Sequence, residues 1–256
     1  MKRAIIIGAT SGIGKEVAKG LLLQGWKIGV AGRRKTALDA FRTIAADNIE
    51  VETLDVTQED ATERLHSLIK KLGGMDLFLL SSGVGHQNME LNADIELNTA
   101  RTNVDGFIRM VTAAFQYFRQ QGNGHLAVIS SIAGTKGLGV APAYSATKRF
   151  QNTYIDALEQ LSNMQKSTIR FTDIRPGFVS TELLNDGKNY PLLMNVNKVG
   201  IHIVRALNHK QRVVTIDWRY AVIVFFWRMI PRWLWERLPI KNSFRIFTPK
   251  KQKQPR

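Results

Sequence analysis

The sequence predicts an α/β protein built on a doubly wound, seven-stranded parallel sheet. Seven short β-branched runs, at 3–7, 27–31, 49–54, 76–80, 125–130, 169–174 and 212–216, alternate with segments of helical periodicity at 12–24, 35–46, 58–72, 92–121, 143–166 and 197–207. Alternation of this kind makes βαβ units with parallel strands. Several runs are continuously apolar, as in Ala4-Ile5-Ile6-Ile7, which suits strands covered on both faces. The 256 residues fit one such domain and leave little room for a second, and 44% apolar against 22% charged residues excludes wholesale disorder.

Ligands of such sheets bind beyond the carboxyl ends of the strands, so the residues just after each run carry the functional information. The first run leads into Gly8-Ala9-Thr10-Ser11-Gly12-Ile13-Gly14 and then a helix. Glycines let the backbone approach a pyrophosphate, and the helix N-terminus offers free N–H groups and a positive dipole. A glycine-rich turn without a ligand is the alternative, but this position opening a helix after the first strand favours a phosphate. The second run leads into Gly32-Arg33-Arg34-Lys35. A site preferring NAD usually places an acid there, whereas two arginines suit a 2′-phosphate, so NADP(H) is the expected cofactor. A solvated basic turn is the other reading. Asp55-Val56 follows the third run, in position to meet an adenine ring, and Ser81-Ser82-Gly83 follows the fourth.

The long helical pattern at 92–121 contains Asn103, a polar amide with little helix propensity. Ser131 closes the fifth run, thirteen residues before Tyr144, and is placed to hydrogen-bond a carbonyl oxygen. Tyr144 and Lys148 are four apart near the start of a predicted helix and so share a face. An ammonium beside a phenol stabilises the phenolate and lowers its pKa from about 10, which suits a proton donor to a developing alkoxide. By itself the Tyr-x-x-x-Lys spacing also fits a surface pair.

With these residues in order, the chain from Lys2 to Thr181 resembles the short-chain dehydrogenase/reductase family. The resemblance rests on Gly8, Gly12 and Gly14, Asp55-Val56, Ser81-Ser82-Gly83, Asn103, Ser131, Tyr144-Ser145-Ala146-Thr147-Lys148, and Pro176-Gly177-Phe178-Val179-Ser180-Thr181. It implies a three-layer Rossmann fold and pro-S hydride transfer from a nicotinamide. It assigns Tyr144 as acid/base, Ser131 as carbonyl orienter, Lys148 as holder of the nicotinamide ribose and tuner of Tyr144, and Asn103 as the site of a relay water. Cofactor contacts would come from Gly8, Thr10, Ser11, Gly12, Ile13 and Gly14, from Arg33, Arg34, Asp55 and Val56, from Ser82 and Gly83, and from Tyr144 and Lys148. Pro176, Gly177, Val179 and Thr181 would cover the nicotinamide. Two departures stand out: Ile7 where the family commonly has Thr, and Leu80-Ser81-Ser82-Gly83 where it has Asn-Asn-Ala-Gly. Both bear on cofactor affinity more than on chemistry, and the filled tetrad argues against a dead homologue.

Charge and composition narrow the partners. There is no cysteine, which excludes disulfides, thiolate ligands and cysteine nucleophiles and suits a reducing compartment. His66, His86, His125, His202 and His209 show no paired ligand spacing, so no metal is expected; His86, after the fourth run, could line a site, though a structural role is the plainer reading. The formal charge of +15, from 36 basic against 21 acidic residues, favours an anionic partner. Residues 217–256 hold ten basic and two acidic residues together with Trp218, Trp227, Trp233 and Trp235. These forty residues therefore carry about half of the excess charge. No nucleic-acid-binding motif accompanies it, so nucleic acid is not expected.

Domain 1–216 is thus expected to be catalytic, with an apolar substrate lid at 178–196 holding Leu183, Leu184, Tyr190, Leu192, Leu193 and Met194. The 217–256 extension is apolar nearly all round at 220–230 apart from Arg228, is broken by Pro231, and resumes as a short helix at 232–238. Trp and Arg together are the composition of an interfacial membrane anchor; packing on the domain or on a second subunit fits equally well. The apolar–Arg–Pro–Trp arrangement resembles reductases of lipidic ketones, such as 3-ketosphinganine reductases and polyprenyl-phosphoryl keto-sugar reductases. No run reaches the roughly 20 apolar residues of a spanning helix. The opening apolar run stops at Gly8 after four residues, short of the roughly 7–15 of a signal peptide. A cytoplasmic protein is expected, peripheral on the inner face of a membrane if the extension docks there. The resemblance implies a homo-oligomer built through the helices at 92–121 and 143–166. The expected activity is NADPH-dependent reduction of a hydrophobic carbonyl substrate, with a noncatalytic NADP-binding sensor or scaffold as the alternative.

Overall fold

The computed structural model describes residues 1–184 and 190–240. The middle of the expected lid, 185–189, and the basic end of the extension, 241–256, therefore lie outside the described residues. The apolar run of β1 (Arg3–Ile7) sits at the sheet centre, with Ala4, Ile5 and Ile6 fully buried. It pairs with β2 (Lys27–Gly32) on one side and β4 (Leu77–Leu80) on the other, Ile5 opposite Gly29 and Phe78. Beyond β2 lies β3 (Ile49–Thr53); beyond β4 lie β5 (Asn123–Ile129), β6 (Thr168–Arg175) and β7 (Val213–Thr215). All seven strands are parallel, in the order β3-β2-β1-β4-β5-β6-β7. The order reverses at β1/β4, which opens a crevice beyond their carboxyl ends.

The strand period of two sends alternate residues of β1 into different cores. Ala4 and Ile6 join the layer of α1 (Gly12–Leu23), α2 (Lys35–Arg42) and α7 (Val196–Asn208), through Leu21, Leu38 and Ile203. Ile5 and Ile7 join the layer of α3 (Ala61–Leu72), α5 (Gly106–Gln121) and α6 (Pro142–Met164), through Leu65, Met110 and Ile155. The protein is a three-layer α/β sandwich of the Rossmann type.

The unbroken helix expected at 92–121 is instead α4 (Ala93–Ala100), a π-helical segment at Arg101–Asp105, and α5. A π turn holds one residue more than an α turn and shifts the face presented. Here it buries Asn103 completely, and the side-chain amide grips the Val84 backbone on both sides: Oδ1 accepts from its N–H at 2.9 Å and Nδ2 donates to its carbonyl at 2.7 Å.

After β7 the chain continues into α8 (Trp218–Met229) and α9 (Arg232–Trp235). Their inner side packs on the same chain. Tyr220 and Val224 are buried in the α1/α7 layer, and Trp235 is buried with Trp227 and Ile230 against Ala133, Leu138, Val140 and Ala141. No helix among the described residues is long and apolar enough to cross a membrane.

One buried group predicts an acid response. Burial in the sheet, aided by the charge of Lys210, pushes His125 down to about 4, and its Nε2 pairs with Thr172 Oγ1 at 2.8 Å. Between the ordinary value near 6.5 and about 4 the unfolded chain holds a proton that folded His125 refuses. Stability is therefore intact above about 6.5 and falls as pH drops through this window, by about 3 kcal/mol in all. Urea titrations at a series of pH values are expected to show this slope, and His125→Gln to flatten it. An identical slope in the variant would assign the acid sensitivity elsewhere.

Candidate active site

The crevice collects side chains from the turn after β5, from α6 and from the π-helical segment. Ser131 follows β5 and caps the single turn Ile132–Thr135: its hydroxyl accepts from Ala133 N–H at 3.1 Å and donates to the Pro176 carbonyl at 3.4 Å. Pro142, pre-shaped for a first helical turn, opens α6 and sets Tyr144 in that turn. Lys148 follows one turn later, its Nζ 5.8 Å from the centre of the Tyr144 ring. Ser131 lies close enough to the Tyr144 phenol to favour its ionised form. The loop after β4 runs against the phenol ring, and Gly85 is what permits it: a Cβ there would lie 2.5 Å from Tyr144 Cδ2.

Two of the three N–H groups of the Lys148 ammonium go to neutral partners. Its Nζ donates to the Ile129 carbonyl and to Gln151 Oε1, each at 3.0 Å. Gln151 Nε2 in turn donates to the Asn103 carbonyl at 2.9 Å, while Asn103 Nδ2 reaches Thr147 Oγ1 at 3.1 Å. A continuous buried chain thus links Lys148 to Asn103 through Gln151. The backbone carbonyl of Asn103, the residue expected to position a relay water, receives this side-chain amide.

The phenol departs from expectation. Burial pushes the Tyr144 pKa up from its usual 10, with only Ser131 opposing. Burial also pushes Lys148 down to about 8, against the attraction of Asp173. The expected depressed phenol needs an ammonium close to its oxygen. Here the ammonium is held by Ile129 and Gln151, and desolvation of each charged form dominates. The result is a phenol that stays protonated across the neutral range.

Beneath this cluster lies a buried polar knot. Asp173 is wholly inaccessible, and its carboxylate accepts from Arg175 Nε at 2.8 Å, from Asn152 Nδ2 at 2.9 Å and from the Ser130 hydroxyl. Arg175 Nη2 completes the ion pair at 2.6 Å. The knot ties together the ends of β5 and β6 and the helix turn after Lys148, the three places that carry Ser131, Pro176 and Lys148.

At the other end of the crevice, Gly8 has φ +87°, and a Cβ on it would lie 2.5 Å from Ser82 N, so only glycine fits the turn. Ser11 stands at the N-cap of α1 without a side-chain capping bond, which leaves first-turn N–H groups for an incoming acceptor. Ile13 packs on the core, and Gly14 lies against the Gly8 carbonyl. Arg33 and Arg34 are exposed beyond β2. Arg34 bonds Thr10 Oγ1 at 3.3 Å and pairs with Glu182 at 3.0 Å, and Glu182 also accepts from Ser11 Oγ at 3.0 Å. Arginine at that corner, an open helix N-terminus and a glycine turn form a donor set that suits phosphates, so these residues fit a dinucleotide. Asp55 Oδ1 closes a turn on Thr57 N–H at 3.0 Å, Val56 is buried against Gly106, and Gly83 lies near Asn103 Oδ1. Gly177 lies against the Tyr220 ring, Val179 is buried, and Thr181 faces Gly12. His86 is exposed. Among the described residues no group of three or more ligand side chains could hold a metal.

Sequence reasoning missed Gln151, Asp173, Gly85 and Glu182. Gln151 was within reach, since it sits three residues past Lys148 on one helix face. Glu182 carried no local signal: its partner Arg34 is 148 residues away.

Comparison with known proteins adds the relatives. The short chain dehydrogenase family matches residues 2–189. An uncharacterised oxidoreductase of Myxococcus xanthus is 32% identical over 243 residues, spanning 92% of this chain and 95% of that protein. The alcohol dehydrogenase of the archaeon Thermococcus sibiricus, solved with 5-hydroxy-NADP, superposes with a TM-score of 0.75 at 20% identity, covering 84% of this chain and 96% of that one. The 3-ketoacyl-(acyl-carrier-protein) reductase of Brucella melitensis, solved with NADH, gives 0.74 at 22% identity over 84% and 96%. At such identities the two structures speak for the fold alone.

Proposed function

Because the chain belongs to the short-chain dehydrogenase family and is an oxidoreductase acting on the CH–OH/C=O pair, we propose that it is an NADPH-dependent carbonyl reductase for a hydrophobic substrate. The observation that carries this reading is the convergence of Ser131, Tyr144 and Lys148 at the crevice of the sheet. In it, Ser131 hydrogen-bonds the substrate carbonyl oxygen, Tyr144 gives its proton to that oxygen as it becomes an alkoxide, and the Lys148 ammonium steadies the phenolate left behind. A bound nicotinamide cofactor supplies the hydride to the carbonyl carbon. The 8–14 turn, Arg33, Arg34, Asp55, Val56, Ser82, Gly83, Lys148 and the 176–181 segment hold it. Asn103 and Gln151 fix Lys148 from below.

The arginines support NADP(H) over NAD(H), since the corner after β2 offers guanidinium and no acid of its own. Arg34→Ala is expected to weaken NADPH binding by about 10- to 100-fold, the worth of a charge-assisted hydrogen bond or two. NADH binding should change little. Equal losses for both cofactors in a fluorescence titration would put Arg34 outside 2′-phosphate recognition.

A hydrophobic substrate is supported by the wall of Leu138, Val140, Ala141 and Trp235 beside Tyr144, and by the exposed Leu183, Leu192 and Leu193 of the lid. In the same reading 217–256 is a peripheral attachment to the cytoplasmic face of a membrane, and α5 and α6 pair in a homo-oligomer. The test follows NADPH absorbance over a panel of ketones graded by chain length. Turnover that rises with chain length is expected. Turnover confined to small polar ketones would remove the hydrophobic substrate, and NADPH binding without any turnover would favour the noncatalytic sensor.

A further inference from the structure

The helix α8 is apolar on two faces, and the domain covers one of them. Tyr220, Ile223, Val224 and Trp227, spaced i, i+3, i+4 and i+7, turn inward. Trp218, Val222, Phe225, Phe226 and Met229, spaced i, i+4, i+7, i+8 and i+11, form a second stripe left in solvent. Trp218 is 74% exposed, Phe225 62% and Met229 65%, and Trp233 on α9 is 61% exposed. Single exposed apolar residues are ordinary, but a stripe of large ones marks an interaction surface. Folding does not need this stripe, because the inner face already seats both helices. Tyr220 anchors α8 by donating to the Pro191 carbonyl at 2.9 Å, and Trp235 anchors α9 by donating to the Gly137 carbonyl at 2.7 Å.

The charge around the stripe identifies what covers it. Arg228, Arg232 and Arg237 sit on or beside the two helices; Arg232 is paired with Glu236 at 2.7 Å, and the Arg237 guanidinium rests on the Trp233 ring, 5.7 Å from its centre. The sequence beyond residue 240 adds six basic residues and no acidic one. Two copies of such a segment face to face would bring like charges together. An anionic lipid surface instead satisfies both features, with arginines at the headgroups and aromatic side chains below them.

We propose that the outer stripe of α8 and α9 docks on an anionic lipid bilayer and sets the substrate pocket against it, so that a bilayer-dissolved carbonyl substrate reaches Tyr144 from the membrane side. The pocket half of this statement rests on the reductase reading above. Its geometric basis is the shared wall: Trp235, Trp227 and Ile230 pack on Leu138, Val140 and Ala141, in the cluster that contains Tyr144, while the opposite side of the same two helices carries the stripe. Lys136 fastens that wall by donating to the Ile230 carbonyl at 2.8 Å.

The test uses the full chain with vesicles of phosphatidylcholine alone or with one quarter phosphatidylglycerol. Readouts are co-sedimentation, tryptophan emission and light scattering. Partition onto the anionic vesicles is expected to exceed that onto the neutral ones by at least about 10-fold and to fall as salt rises. Phe225→Ser/Phe226→Ser should lose at least about 10-fold of this partition while keeping its melting temperature, its NADPH affinity and its turnover of a short water-soluble ketone. It should also lose turnover of a long-chain ketone presented in vesicles. Absence of vesicle binding, or binding unchanged in the variant, overturns the proposal. So does a dimer that the substitutions convert to monomer, because a second copy then covers the stripe. Vesicle binding with no turnover of any ketone would uphold docking and bring down the reductase reading; turnover without vesicle binding would do the reverse.

Discussion

Tyr144→Phe is expected to cut reduction by about 10²–10⁴-fold, the range for a positioned general acid, with NADPH affinity and thermal stability near wild type. The substitution removes one oxygen and leaves the ring in place. Lys148 keeps both of its partners, the Ile129 carbonyl and Gln151, because neither involves the phenol. The loss should therefore appear in kcat rather than in cofactor binding. The pH profile of the wild type carries the same argument. Burial holds the phenol protonated beyond its usual 10, so the donor is present throughout the neutral range. Lys148, pushed down to about 8, loses its positive charge above that pH and with it the support for the departing phenolate. The reduction rate is expected to decline as pH rises past about 8. A Tyr144→Phe enzyme within a few-fold of wild type on its best ketone would remove Tyr144 from the chemistry.

Asp173→Ala carries the largest expected cost in stability. It leaves the Arg175 guanidinium, whose side chain is only 10% exposed, without its counter-charge, and strips an acceptor from Asn152 and Ser130. Breaking one side of a buried pair costs about 3–5 kcal/mol, which for a chain of this size lowers the melting temperature by roughly 10 °C. The cost is that of a stranded charge rather than of a lost attraction. Replacing Asp173 and Arg175 together by apolar residues of similar volume should consequently recover most of it. Calorimetry on the single and double variants checks both statements. A single variant within about 1 kcal/mol of wild type would mean that water or another side chain reaches Arg175.

Legibility differed from residue to residue for physical reasons. Gly8 to Gly14 and the Tyr144/Lys148 pair were readable because each is a local pattern, and short spacings map directly onto a turn or a helix face. The ion pair of Arg34 with Glu182 and the knot around Asp173 were not, since they join residues far apart along the chain. The π-helical segment at Arg101–Asp105 lay between these cases. Asn103 was conspicuous as a poor helix former, but the grip on Val84 that pulls it out of α-helical register depends on where the loop after β4 passes.

The sequence by itself determined a parallel seven-stranded α/β sheet, the glycine turn and the positions of Ser131, Tyr144 and Lys148, because hydrophobic period and strand-end chemistry are encoded within a few residues. Tertiary structure decided the rest. Burial raises the pKa of the Tyr144 phenol, and the Ile129 carbonyl and Gln151 hold Lys148 beside it. Which of the two apolar faces of α8 is covered was likewise settled only by packing: periodicity reveals an apolar face, but the elements that fold against it choose the one that is buried.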